Sequence, residues 1–163
     1  CSGPYGIAKM TGVVTVSFMI SGVNALDIEL ASDNLVVGGA TLTLSATATY
    51  QKGSTTDMLT VAANNQATSA RAGGVTHMGM YTIGWDATCL QLDGNFSTTI
   101  GGLTWTTAVT GYERCENSCP KSGGLVTVTG PSNRSVTVSY SGGGTAFATT
   151  STGQSGMIAR VNT

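Results

Sequence analysis

Apolar and polar residues alternate with a period of two along most of the chain, in short runs bounded by Gly, Asn, Asp or Pro. "GVVTVSFMIS" (12–21), "ALDIELA" (25–31), "TLTLSATATY" (41–50) and "MLTVAA" (58–63) come first, then "HMGMYTIGW" (77–85) and "TCLQL" (88–92). "FSTTI" (96–100), "LTWTTAVTGY" (103–112), "LVTVTG" (125–130), "SVTVSYSG" (135–142) and "TAFATTS" (145–151) complete the series. Such runs, rich in Val, Ile, Thr, Tyr and Phe, suit a pleated surface with one face packed and one face wet. In the stretch 125–140, Val126 and Val128 alternate with Thr127 and Thr129, and Val136 and Val138 alternate with Thr137 and Ser139, which predicts a hairpin with one apolar and one hydroxyl face. "DGN" (93–95) and "GPSNR" (130–134) read as hairpin turns. "AANNQATSARAGG" (62–74) lacks a clear period and reads as a long loop. About ten strands with frequent turn signals predict an all-β chain, one antiparallel β-sandwich of jelly-roll or Ig-like type spanning 1–163. Trp85, Trp105, Phe18, Phe96, Tyr140 and Phe147 are the expected core aromatics.

Charge narrows the picture. Charged residues make up 9% of the 163 and the net charge is −1, so no basic field exists to attract nucleic acid or an anionic membrane. No run reaches the ~20 apolar residues of a membrane helix. The polar surface must therefore come from Thr, Ser, Asn and Gly, a composition that fits a secreted or assembled β protein. The opening "CSGPYG" resembles the start of a processed bacterial lipoprotein, which makes Cys1 a candidate lipidation site.

Four cysteines decide the compartment. Cys89, Cys115 and Cys119 lack a convincing zinc set, because the single histidine, His77, is distant in sequence. The C-x3-C spacing is too wide for a thioredoxin-like motif. The remaining reading is a disulfide staple, Cys115–Cys119 or Cys89 with one of that pair, formed in an oxidising compartment. Cys1 joins the cross-linking candidates unless it is lipidated.

Candidate chemistry is sparse. No Ser-His arrangement or nucleophile elbow occurs. Asp27 and Glu29, about 6–7 Å apart on one strand face, read as the charges of a solvated edge strand. In "THMGMY" (76–81), Met78 and Met80 share a face as core filling while His77 points the other way, which argues against a copper site. Asn95 and Asn133 each begin an N-x-[ST] sequon in an expected turn and are candidate glycosylation sites.

From Cys89 onward, "CLQLDGNFSTTIGGLTWTTAVTGYERCENSCPKSGGLVTVTG" followed by "SVTVSYSG" resembles the C-terminal part of bacterial secreted proteins and lipoproteins of β-sandwich type. The resemblance implies an envelope or extracellular location and no reaction.

Together these features predict a non-enzymatic extracellular structural protein without cofactor, metal or transmembrane span, a subunit of a cell-surface filament or coat. Residues 1–21 are the expected assembly strand or anchor segment, with Val13, Val14, Val16, Phe18 and Ile20 as its contact residues. The expected partner is another copy of the chain. The alternative is a lipid-anchored envelope domain that binds carbohydrate or protein, with Trp85, Trp105, Tyr81 and Tyr112 as a stacking platform.

Overall fold

The computed structural model of the chain describes residues 9–69 and 73–160. Twelve strands run through it: β1 (Met10–Gly22), β2 (Ala25–Val37), β3 (Ala40–Thr43), β4 (Ser45–Gln51), β5 (Asp57–Ser69), β6 (Gly73–Trp85), β7 (Cys89–Ile100), β8 (Leu103–Cys115), β9 (Leu125–Thr129), β10 (Ser135–Gly142), β11 (Thr145–Thr150) and β12 (Ser155–Arg160). All are hydrogen-bonded into one antiparallel sheet in the order of the sequence. β3 and β4 share the position between β2 and β5. Ser32 clamps the break between them, its Oγ accepting from Leu44 N at 2.7 Å and its N donating to Leu44 O at 3.0 Å.

The expected all-β class holds, and no helix occurs among the described residues. The strand count is twelve and not about ten, and the strands form one continuous sheet where two packed sheets were expected. The connections explain the difference. A Greek key needs a long connection that returns past its neighbours, whereas most links here are hairpins of a few residues that can join only adjacent strands. Gly101 and Gly102 form one such loop between β7 and β8, with φ of 57° and 81°, the left-handed pair that a type I′ turn requires. The same dipeptide recurs at 38–39 and 143–144.

Pairing sorts the side chains into two faces. One cross-strand row reads Phe18, Ile28, Ala48, Val61, Tyr81, Gly94, Val109, Val126, Val138, Ala148. The row behind it on the other face reads Glu29, Thr47, Ala62, Met80, Asn95, Ala108, Thr127, Thr137, Thr149, Ser155. Threonine hydroxyls bond across strands on this second face, Thr99 to Thr104 at 2.8 Å and Thr127 to Thr137 at 2.9 Å. The hairpin at 125–140 is borne out, with Val126 opposite Val138 and Val128 opposite Val136.

Three expected features differ. Residues 93–95 do not turn: β7 runs straight through them because Gly94 is paired on both sides, with Tyr81 and Val109. Asp93 sits at a bulge whose freed Gly111 N–H it accepts at 2.6 Å. The stretch 62–74 is not a loop either. Through Ser69 it belongs to β5, and from Gly73 to β6, where residue-by-residue pairing overrides the weak strand preference of Ala, Asn and Gln. Asp27 and Glu29 lie on an interior strand, since β2 is flanked by β1 and β4.

The core is thin. Among the described residues only Leu35, Val61, Val109, Ala146 and three glycines, Gly84, Gly124 and Gly144, are buried, and no side chain is fully enclosed. Strands approach within 8 Å between Cα atoms only where they are hydrogen-bonded neighbours. The accessible surface is 10569 Å², against about 7,500 Å² for a compact 16.4 kDa monomer. The excess exceeds the roughly 2,000 Å² that the fourteen residues outside the description could add at full extension. Of the expected core aromatics, Trp85, Trp105, Phe96 and Tyr140 are half-buried on the apolar face. Phe18 is 64% exposed on that face, and Phe147 stands on the hydroxyl face opposite Ser139 and Met157.

At two glycines the neighbouring strand lies too close for a side chain: a Cβ on Gly79 would lie 2.4 Å from Phe96 Cβ, and one on Gly94 would lie 2.5 Å from Tyr81 Cβ. Gly94→Ala is expected to cost about 1–3 kcal/mol, read from the urea midpoint. Gly74→Ala, with nothing within 4 Å of its new methyl, should leave the midpoint unchanged or slightly raised.

Candidate functional site

Among the described residues the twelve-strand meander ends in two edge strands, β1 and β12, each with one neighbouring strand. β1 is the longer, thirteen residues of "MTGVVTVSFMISG" without a charge or a proline. Natural edge strands are usually blunted by lysine, proline or extreme shortness, because bare N–H and C=O groups recruit other strands. None of these devices is present on β1. Ile20 is 82% and Phe18 64% exposed, and Val13, Val14, Val16 and Met19 also stand open. Six of the nineteen exposed large apolar residues therefore sit on this one strand, so exposure concentrates at the edge instead of spreading evenly over the face. All five expected contact residues lie in β1; Val14, Val16, Phe18 and Ile20 share the apolar face, and Val13 points to the other. Residues 1–8 of the expected assembly segment lie outside the described residues, as does Cys1 with its candidate lipidation and cross-link.

Among the described strands β1 pairs with β2, in register from Val13 opposite Asp33 to Ile20 opposite Leu26. Irregularities flank that stretch at Thr11/Val13 and Ile20/Gly22. Gly12, at φ 115°, packs where a Cβ would meet Asn34 O at 2.4 Å, and pairing resumes beyond this bulge with Thr11 opposite Val36 and Met10 opposite Val37.

The staple lies across the sheet. Cys89, first in β7, bonds Cys115, last in β8, directly opposite it. Of the alternatives left open by the sequence, this is Cys89 with one member of the pair; Cys119 is half-buried with a free thiol, and Cys115 and Cys119 do not bond. Strand pairing selects the partner: opposed ends of a hairpin bring two Cβ atoms within disulfide range. Glu113 lies near both sulfurs, but two sulfurs bonded to each other are not thiolate ligands. Asp86 organises the entry to β7, its Oδ1 accepting from Thr88 N and Cys89 N at 2.7 Å each. The Thr88 N–H foremost, then that of Cys89, holds the Asp86 carboxyl below its ordinary value of 3.8. Beyond the bond, Lys121 pairs with Glu113, and Ser118 Oγ donates to Cys115 O at 2.9 Å.

The other candidates are dispersed. Asn133, at φ 56°, sits exposed in the turn expected for it, whereas Asn95 lies exposed in mid-strand. His77 and the methionines occupy opposite faces, as alternation requires; Met78 and Met80 are exposed and fill no core. His77 Nδ1 is 2.8 Å from Thr98 Oγ1, its ring against Phe96. Trp85 and Trp105 sit near opposite ends of the strands, Trp85 in the row of Leu90 and Arg114 and Trp105 nine positions back along β8, about 30 Å away. With Tyr112 edge-on to Tyr140 and Trp85 stacked on Tyr50, they form no common platform. Tyr50 also donates to Asp57 at 3.1 Å; partial loss of water, then that carboxylate, raises its phenol above 10.0.

The chain matches no protein-family model, and comparison with curated proteins and with solved structures returns no match. No helix among the described residues is long and apolar enough to cross a membrane.

Two predictions follow from the staple. Replacing both Cys89 and Cys115 by serine opens a link of sequence separation 26, and chain entropy puts the loss at about 3.5 kcal/mol, measurable by denaturant titration. Asp86 is more acidic folded than unfolded, so its stabilisation is complete above the ordinary value of 3.8 and fades as pH falls through the lower folded one. The stability gap between the parent and Asp86→Ala should therefore be constant near neutrality and close in acid.

Proposed function

We propose that this chain is a non-enzymatic structural subunit working outside the cytosol, at a cell surface or in a secreted coat or filament, and that it assembles with its own copies through its sheet edges. The carrying observation is β1, long, apolar, uncharged and, among the described strands, with a neighbour on one side only. An edge of that kind is an aggregation hazard unless it is covered, and strand addition covers it with the bonds that hold the rest of the sheet. The disulfide supports an oxidising location. The uncovered apolar face supports assembly further: two copies laid face to face would supply the two-layer packing that one copy lacks.

A double variant, Val16→Lys with Phe18→Lys, places two charges on the edge while disturbing only half-open side chains. The parent should sediment as a dimer or a larger species, and the variant as a smaller one, with an unfolding free energy within about 0.5 kcal/mol of the parent per substitution. A parent that stays monomeric at every concentration, or a variant that assembles like the parent, would refute the reading.

A further inference from the structure

We infer that β1 pairs with β1 of a second copy, antiparallel about a two-fold axis through Ser17, and not head-to-tail with β12. The inference rests on the self-assembly reading and specifies its junction.

Strand direction carries the first step. Because β3 and β4 share one position, the sheet has eleven positions in an unbroken antiparallel series. The first and last positions of an odd series point the same way, so β1 and β12 are parallel. A head-to-tail junction that keeps the apolar faces on one side must then pair β12 with β1 in parallel, the less stable ladder. It would also match six residues against thirteen. A two-fold axis perpendicular to the sheet reverses the second copy instead. That makes β1 antiparallel to its mate, keeps both apolar faces on the same side, and matches equal lengths. Isologous two-fold contacts are also the commonest form of self-association.

Alternation carries the second step. Side chains keep their faces only if each residue opposes one of the same parity. Centring the pair on Ser17 sets Val16 opposite Phe18 and Val14 opposite Ile20, twice over by symmetry, so all four apolar-face residues of the regular stretch meet an apolar partner. Moving the centre to Val16 would set Ile20 against Gly12, inside the bulge that departs from the ladder. On the hydroxyl face the same centring opposes Thr15 to Met19 and Ser17 to itself.

The experiment uses the full chain with Cys1→Ser and Cys119→Ser to remove other thiols. With Ser17→Cys added, a short bis-maleimide should join two copies in most of the assembled material. A chain carrying Ser17→Cys and Ser155→Cys should yield no 17-to-155 product. A second measurement exploits the pairing of 14 with 20. Val14→Glu alone and Ile20→Lys alone should each weaken association about tenfold, and the double variant should recover most of that loss, because two opposite-charge pairs form across the axis. Positions 14 and 20 lie six residues apart on one strand, about 20 Å, so rescue within one copy is excluded. Assembly that persists without the 17-to-17 link, or with the 17-to-155 link instead, would overturn the junction and leave the self-assembly reading standing. Absence of assembly in the parent chain would overturn both.

Discussion

Hydrogen bonding between strands adjacent in sequence is the interaction on which the structure depends. Little of the order comes from an enclosed core: among the described residues the only buried side chains larger than glycine are Leu35, Val61, Val109 and Ala146. Order in such a sheet comes from backbone pairing, cross-strand side-chain contacts and turns that set the register. The Gly-Gly loops at 38–39, 101–102 and 143–144 matter for that reason, since each fixes which residues oppose which before any long-range contact forms. The Cys89–Cys115 bond closes the β7–β8 hairpin at its open end, opposite the Gly101–Gly102 loop, so one of the longest pairs is tied at both ends.

Close approach of two strands follows from the same pairing. Gly79 opposes Phe96 and Gly94 opposes Tyr81, so on two adjacent strands a missing side chain faces an aromatic ring. The backbone and Cβ of the neighbouring strand lie at distances that no glycine-replacing Cβ would permit. The result is a shallow apolar trough of about 330 Å³ bordered by Tyr81, Phe96, Leu92 and Val109. Val109, one of the few buried side chains, lines it.

Much of this was legible in the sequence, for identifiable reasons. Wherever valine alternates with threonine the strand and its faces were evident, because each residue type suits only one side; residues 125–140 are the clearest case. Residues 93–95 misled because Asp, Gly and Asn signal a turn locally, whereas a glycine under a tyrosine and an aspartate at a bulge are decided by neighbouring strands. Residues 62–69 misled because Ala, Asn and Gln are indifferent strand formers, held in place by β4, β3 and β6. The partner of Cys89 could not be chosen from spacing, since it follows from register. The number of layers was hidden for a deeper reason: alternation says that one face is apolar, not what covers it. The edge strand was visible as a segment, but its exposure became meaningful only once its position at the end of the described sheet was known.

Electrostatics shows why a low charge content suits such an edge. Strand spacing is about 4.8 Å, so like charges on junction strands of two copies would stand within direct repulsive reach. β1 carries none. The nearest charge in the row through Ser17 is Glu29, one strand inward. Across a two-fold junction the path from Glu29 to its mate crosses both Ser17 residues, three strand spacings or about 14 Å. That exceeds the ~8 Å Debye length at physiological ionic strength, so the two carboxylates are screened from each other. Asp27, in the row of Met19, is displaced along the strand and further from its own mate. Its carboxylate is also engaged, accepting from Thr49 Oγ1 at 3.0 Å. The acidic residues nearest the edge thus stand far enough back for two copies to meet, and a charge moved one strand outward, onto β1, would not.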